Sequence, residues 1–517
     1  MTNNGAQLQA HIEFEFYKMV LFAIKTGRKI QNMSEFSEKC KEYIRKSDTT
    51  IYQIAKSSGL ERTMLQRMVN GNRLPDIEAV KKFCNYVQIT KTEEEQLLEL
   101  YKIEKIGKDT YYARQEVQDL LNGIQKMRRD WNQITYFRKK MLPADLNRDG
   151  MMIRSLRLDL EIMEAIQYVI NKEIDRSETA RIDMDLFPRC EYAMQQLIRE
   201  EKVAKNQIIC NHYVNFLRGS CEGSAIENIR MLKMVVPFAF TFHHTYNVRY
   251  SYTTTERKDN FNRLWPHFLV TGSGMILFSE NENRAVLIEN QEIVRCFREE
   301  IEELSGKRRP LFENQEFGKS KFDVYFKKGV KNFPLWIYEG HMCVARMFYP
   351  ELVEAEKNNP YVCMLVDSHN EHIYVEKQKP SVCIFSLGGL DEFMESGKLP
   401  GIYGQNSRVY TVSERKKMLE HYVESLSDDS LKSYLIKDTV YSIDSGMSVE
   451  LYEGNRLRFI STSGEFPFGI VTINESNICN IFRDYFESLL KSGQVWDEEE
   501  TKRRVRERIG LLRDGDD

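Results

Sequence analysis

No Cys-x-x-Cys pair occurs among the ten cysteines, so neither a zinc knuckle nor a thioredoxin-like motif is on offer. No window approaches the ~20 uninterrupted apolar residues that a membrane-spanning helix needs, so no membrane partner is expected. The start, MTNNGAQLQAHIEFEFY, lacks a basic cluster running into an apolar stretch, and no secretory leader is expected. Charge of one sign is lacking too: 74 Lys and Arg against 77 Asp and Glu leave a net −3. That balance excludes a protein that coats nucleic acid by bulk electrostatics, so any nucleic-acid contact must be local. Scattered thiols and no leader place the expectation in a reducing cytoplasm.

What is present is a chain of 517 residues, 42% hydrophobic and 11% aromatic, which supports packed domains rather than disorder. At about 150 residues per domain, three or four units are expected.

One stretch concentrates the signal, Thr50 to Pro75, TIYQIAKSSGLERTMLQRMVNGNRLP. Its spacing predicts two short helices joined at Gly59, a residue free to take the positive φ of a sharp turn. Ile54 and Ala55 fall on the inner side of the first helix, and Leu60, Leu65 and Met68 give the second its buried side. The opposite side carries Arg62, Thr63, Gln66 and Arg67, donors that reach base edges and phosphates. Asn70-Gly71 closes the helix, with Arg73 following, and Pro75 prevents its continuation.

From Gly59 to Gly71 this pattern resembles, without a gap, the Xre or Cro-repressor class of bacterial and phage helix-turn-helix domains. The resemblance implies a five-helix domain, and flanking periodicity supplies the other helices. Phe36, Cys40, Tyr43 and Ile44 mark an apolar face before the motif; Ile77, Val80, Phe83 and Val87 mark one after it. Thr92 to Glu95 reads as the capping box of a fifth helix carrying Leu97, Leu98 and Tyr101. The sequence departs from the family at Ile51, where glutamine is common, and that glutamine's contact is not carried over. Between Phe36 and Thr90, ten Lys or Arg face six Asp or Glu, enough for local phosphate attraction.

The fold class expected is α+β multidomain: an all-α five-helix domain, a helical segment, then two related α+β modules. The expected divisions are an N-terminal helical extension at 1–33, the helix-turn-helix domain at 34–106 and a helical linker at 107–150. A helical segment plus first α+β module follows at 151–306, a hinge at 307–334, a second module at 335–491 and a charged terminal helix at 492–517. The extension carries FEFYKMVLFAIKTGRKI, readable as a core helix or a dimer contact. Basic groups at Lys126, Arg128, Arg129 and at Arg138, Lys139, Lys140 read as solvated faces or flanking DNA contacts. Pro143 to Gly150 has turn chemistry.

Met151 to Leu217 reads as helical, through Leu156, Leu160, Met163, Ile166 and Ile170, with a further helix after Pro188 carrying Tyr192, Leu197 and Ile198. Beyond Pro237 aromatic and β-branched runs, FAFTFHHTYNVRYSYTTT among them, read as strands, as do YVCMLVD, IYVEK and SVCIFSLGG later. Ile288 to Leu304 can be laid over Ile473 to Leu489 at a constant offset of 185, each after a strand-like run. This predicts a duplicated strand-to-helix unit whose Phe, aliphatic and Leu positions face inward. The tail from Trp496 pairs Glu498, Glu499 and Glu500 with Lys502, Arg503 and Arg504 and reads as a solvated helix.

Catalytic constellations are thin. His243-His244 sits in an apparent strand and would point to opposite faces. His369-x-x-His372 spans a turn, and Cys210-x-His212 lacks further zinc ligands. Gly272-Ser-Gly274 and Gly388-Gly389 lack the endings of phosphate loops. No enzyme, catalytic residue, metal or cofactor is expected.

The leading expectation is a sequence-specific DNA-binding transcription regulator of repressor type. It would read double-stranded DNA through Arg62, Thr63, Gln66, Arg67, Asn70 and Arg73. It would act as a homodimer in the cytoplasm, nucleoid-associated, with a C-terminal region that dimerises and senses an unknown small-molecule, peptide or protein effector. Two alternatives stay open. One is a defence-associated or partner-binding protein whose helix-turn-helix only tethers or autoregulates; the other is an enzyme with an unrecognised C-terminal site.

Overall fold

The computed structural model describes residues 33–133, 153–186, 189–253, 264–317, 334–360, 362–363, 365–367, 369–370, 381–399, 408–427, 431–437, 443–462 and 469–512. Among them stand fifteen α-helices, one 3-10 turn and fifteen strands in two mixed sheets. The N-terminal extension before residue 33, the second basic group at 138–140, the turn at 143–150, Pro188 and the IYVEK run lie outside the described residues. The chain divides into two compact units, Met1–Tyr111 and Tyr112–Asp517.

The first unit contains α1 (Glu35–Lys46), α2 (Ile51–Ser58), α3 (Arg62–Val69), α4 (Ile77–Val87) and α5 (Lys91–Ile106). Each helix but α3 starts at a side-chain cap: Ser34, Thr50, Asp76 and Thr90 each accept an amide of the first turn. The capping box of α5 is Thr90 with Glu93 rather than Thr92 with Glu95. Both pairs fit the Thr-x-x-Glu spacing, and packing selects the register that buries Leu97 and Tyr101. Phe36, Cys40, Tyr43, Ile54, Leu65, Met68, Val80, Phe83 and Val87 complete that core. Ile77 is exposed, because it sits in the first turn of α4, on the rim of the core.

The second unit begins within α6 (Lys108–Asn132), whose Val117, Leu120, Leu121, Ile124 and Trp131 lie in its main core. Residues expected to be a linker are therefore structural. Arg128, expected on a solvated face, is buried, donating to Ser461 Oγ at 2.6 Å. Arg129 pairs with Asp444 at 3.2 Å.

The first sheet is built from β1 (Ile153–Leu156), β2 (Thr179–Asp185), β3 (Gln207–Leu217), β4 (Thr245–Thr253), β5 (His267–Val270), β6 (Met275–Phe278), β7 (Ala285–Ile288) and β8 (Arg309–Pro310). Between them run α7 (Asp159–Arg176), α8 (Cys190–Glu201), α9 (Ser224–Thr241) and α10 (Gln291–Lys307). Three strands thus interrupt the stretch expected to be helical up to Leu217. β2 alternates with period two, as in Arg181-Ile-Asp-Met-Asp185, but the neighbouring helices supplied the dominant 3.6 spacing. Conversely, α9 continues through Pro237 to Thr241, so Phe238-Ala-Phe-Thr is helix, not strand. A short apolar run buried on all sides does not tell the two apart.

The second sheet holds β9 (Phe312–Phe317), β10 (Pro334–Glu339), β11 (Ser381–Phe385), β12 (Leu431–Leu435), β13 (Met447–Tyr452), β14 (Arg456–Ser461) and β15 (Gly469–Ile473). Its helices are α11 (Pro350–Ala355), α12 (Gly388–Ser396), α13 (Val412–Ser425), α14 (Ser476–Lys491) and α15 (Glu498–Ile509). The described part of Tyr361 to Asp367 is helical, not a strand. The region expected as a hinge carries β8 and β9, each an edge strand of its sheet.

The two sheets repeat one topology. The first runs β1-β7-β6-β5-β2-β3-β4, with β8 added, and the second β9-β15-β14-β13-β10-β11-β12. In each, three parallel strands adjoin three antiparallel ones, a preceding strand seals the edge, and a helix leaves the last strand. That helix is α10 in one copy and α14 in the other, at the offset read from the sequence. The copies differ in depth: Phe482 and Leu489 of α14 are buried, while Phe297 and Leu304 of α10 are exposed, against expectation. α10 turns Val294 and Ile301 onto its sheet instead.

α15 is less solvated than its charges suggest, since Thr501, Val505 and Ile509 are buried and Thr501 Oγ1 accepts the Leu435 amide. Lys502 pairs with Glu498 at 2.7 Å and Arg504 with Glu500 at 3.0 Å, whereas Arg503 turns to Glu500 and Glu507 rather than Glu499.

Candidate nucleic-acid interface

The helix α2 begins at the Thr50–Gln53 capping box and ends at Gly59, whose φ of +70° carries the chain into a tight turn. α3 then buries Leu65, Met68 and Val69. Its far end closes as a Schellman motif: the Asn72 amide donates to Arg67 O at 2.8 Å and the Gly71 amide to Met68 O at 3.1 Å. Gly71, with φ of +72°, supplies the left-handed residue that closure requires. Ser37 of α1 donates to Met68 O at 2.7 Å, fastening the same end from outside the motif.

With that register fixed, Arg62, Thr63, Gln66, Arg67, Asn70 and Arg73 are all exposed. The first five lie along α3 and its cap, and Arg73 stands just past the closing glycine. Among the described residues, Arg62, Arg67 and Arg73 have no acidic partner, so their charge is free for a phosphate or base edge. Ile51, where the resembled family has glutamine, is half-buried and packs on the domain core, contributing nothing polar. Sequence reading missed Tyr52, which is 58% exposed and lies with its ring centroid 5.9 Å from the Arg62 guanidinium. An aromatic on the polar side of a short helix was the available signal.

The residues weighed as catalytic candidates take the following places. His243 and His244 stand between α9 and β4, not in a strand, and His244 Nδ1 accepts the Ile208 amide at 3.2 Å. His212 is fully buried, with Nδ1 2.8 Å from Tyr246 Oη, and burial holds its imidazole down to about 4. Cys210 beside it is buried and its thiol pushed up by burial. Gly272-Ser-Gly274 turns between β5 and β6, where Ser273 donates to Glu173 at 2.9 Å. Gly388-Gly389 starts α12, with the Gly389 amide donating to Gly340 O at 3.0 Å. His372 lies outside the described residues. Among the described residues no three His, Cys, Asp or Glu are grouped as a metal site, and no helix is long and apolar enough to cross a membrane.

No protein-family model and no curated protein sequence matches the chain. Among solved structures, the chain is similar to TrmBL2, an archaeal chromatin protein with a novel mode of DNA binding, at 11% identity and a TM-score of 0.18, over 46% of this chain and 73% of that one. It is similar to the phosphatidylserine synthase of Haemophilus influenzae Rd KW20 at 9% identity and a TM-score of 0.19, over 76% and 91%. It is also similar to the polyphosphate kinase of Porphyromonas gingivalis at 9% identity and a TM-score of 0.20, over 73% and 60%. Likenesses this distant leave the function to the chain's own geometry.

Proposed function

We propose that this chain is a sequence-specific DNA-binding transcription regulator of the Xre or Cro-repressor type. α3 enters the major groove of double-stranded DNA, and the duplicated α+β unit dimerises and responds to a small-molecule, peptide or protein effector. The protein then works as a homodimer on a roughly two-fold operator, in the cytoplasm and on the nucleoid. The observation that carries this reading is the side of α3. Arg62, Thr63, Gln66 and Arg67 stand exposed in a row, their cations unpaired by any acid among the described residues, on a helix anchored through Leu65, Met68 and Val69. Arg62 at the first helical position reads a guanine edge; Thr63 and Gln66 add base or phosphate contacts; Arg67, Asn70 and Arg73 position the backbone. No enzyme activity is part of the reading.

Recovery of genomic fragments bound by the full chain tests it. A shared motif with two-fold character, lost on joint Arg62→Ala and Gln66→Ala substitution, is the expected result. Indifference to DNA sequence, or binding unchanged by those substitutions, refutes it.

A further inference from the structure

In the second copy, α13 packs on both α12 and α15, and these three elements border a cavity of about 430 Å³, a size that holds a small organic ligand. Its apolar lining is Met394 of α12, Val412 at the start of α13, and Leu511 and Leu512 just past α15. Leu511 is 62% exposed. Arg415, one turn into α13, lines the cavity as well and is only 7% exposed. A guanidinium carries five N–H donors. Here Nη1 donates to Met394 O near the end of α12, and Nε is buried with no hydrogen-bond partner. Among the described residues no carboxylate stands within ion-pair distance of Arg415. The two acids that share the cavity do not neutralise it: Asp391 pairs with Arg508 at 3.5 Å, and Glu395 is exposed. A cation buried without a counter-charge is costly, and an anion entering beside it removes that cost.

We propose that this cavity is the effector site of the chain and takes a small organic carboxylate with an apolar body. The carboxylate accepts from the donors that Arg415 does not spend on Met394, as charge-assisted hydrogen bonds. The body lies on Met394, Val412, Leu511 and Leu512, where it leaves water. An alcohol of the same shape lacks the charge that Arg415 calls for, and an amine brings the wrong one. The inference rests on the regulator proposed above and narrows its effector from a small molecule, peptide or protein to one chemical class. The residues after α15 line the cavity, and Thr501 of that helix accepts the Leu435 amide of the edge strand β12 at 3.2 Å. That bond gives the ligand a route from the cavity to the second sheet.

Isothermal titration of the full chain tests this, with octanoate as the carboxylate and 1-octanol and octylamine as the same chain without the anion. Octanoate is expected to bind once per chain, and the alcohol and amine at least about 10-fold more weakly. Arg415→Gln should weaken octanoate about 10- to 100-fold. Because Arg415 also bonds the end of α12, Leu511→Asp serves as a second variant. Its exposed side chain leaves melting unchanged, and its like charge should weaken octanoate by a similar factor. Octanoate that does not bind, that binds no better than octanol and octylamine, or whose binding neither substitution moves overturns the site. Operator affinity at saturating octanoate reads the effector role: a change of at least about 5-fold is expected, and an unchanged affinity overturns that role. The titration needs no DNA, so a chain whose bound fragments share no motif fails the regulator reading while the carboxylate site is still decided.

Discussion

The hydroxyl of Ser37, buried in α1, donates to the main-chain carbonyl of Met68 at 2.7 Å, tying the end of α3 to a helix outside the two-helix motif. The same carbonyl accepts the Gly71 amide, so a residue in the first turn of α1 and the glycine that closes the recognition helix converge on one atom.

Ser37→Ala should therefore lower the stability of the five-helix unit by about 1 kcal/mol, the net worth of one buried neutral hydrogen bond with a second donor left in place. Urea unfolding followed through that unit measures it. Specific DNA affinity should fall with little change at random DNA, because the orientation of α3 loosens while its cations remain.

Arg62 and Arg73 should separate on DNA. Arg62→Ala is expected to cost about 1 to 3 kcal/mol at the operator and to relax one base position. Arg73→Ala should weaken all sequences alike and reduce the slope of log affinity on log salt by about 1. Titrations on operator and random duplexes at several salt concentrations measure both; equal losses on the two DNAs for both variants would refute the division.

The duplicated helices should respond unequally to truncation. Phe482→Ala empties a site in the main core and should cost roughly 3 to 5 kcal/mol. Phe297→Ala, on an exposed side chain, should change the stability of the protomer by under about 1 kcal/mol. Denaturation under conditions that keep the chain monomeric compares them, and similar losses would contradict the different burial of the two copies.

Glu339 ends β10 with its carboxyl buried, accepting from the Cys383 thiol at 3.2 Å. Burial pushes this carboxyl up to about 7, with the nearby His341 pulling the other way. A folded value above the unfolded one means that the folded state holds an extra proton between the two. The associated stability is full below about 4.5 and is lost as pH rises through about 7. Wild type should weaken across that window by on the order of 3 kcal/mol at most. Glu339→Gln should flatten the slope and be the more stable protein at pH 8. Melting temperatures of both from pH 4 to 8 decide it, and parallel profiles would exclude Glu339 as the titrating group.

Much of the first unit was legible because its signals are local. Gly59 needs only its own φ, Asn70-Gly71 closes a helix with main-chain bonds within six residues, and Leu65 and Met68 mark a buried side at helical spacing. Which of two Thr-x-x-Glu boxes caps α5 was not local, since burial of Leu97 and Tyr101 chose between them.

The larger unit was legible only where a pattern recurred. The offset between Ile288 and Ile473 foretold a repeated strand-to-helix step, and the shared strand order bears that out. β1 and β2 lay hidden because the helices on either side supplied the 3.6 spacing, whereas Phe238-Ala-Phe-Thr passed for a strand because residues buried on every side lose the periodicity that separates helix from strand.

The sequence alone determined where a cationic helix with a glycine at either end would form, since turn, cap and apolar spacing are properties of neighbouring residues. Only the tertiary structure decided that Phe482 is covered and Phe297 is not. Burial depends on what packs above a helix, and α9, which packs against α14 in the second copy, lies more than two hundred residues away from it in the chain.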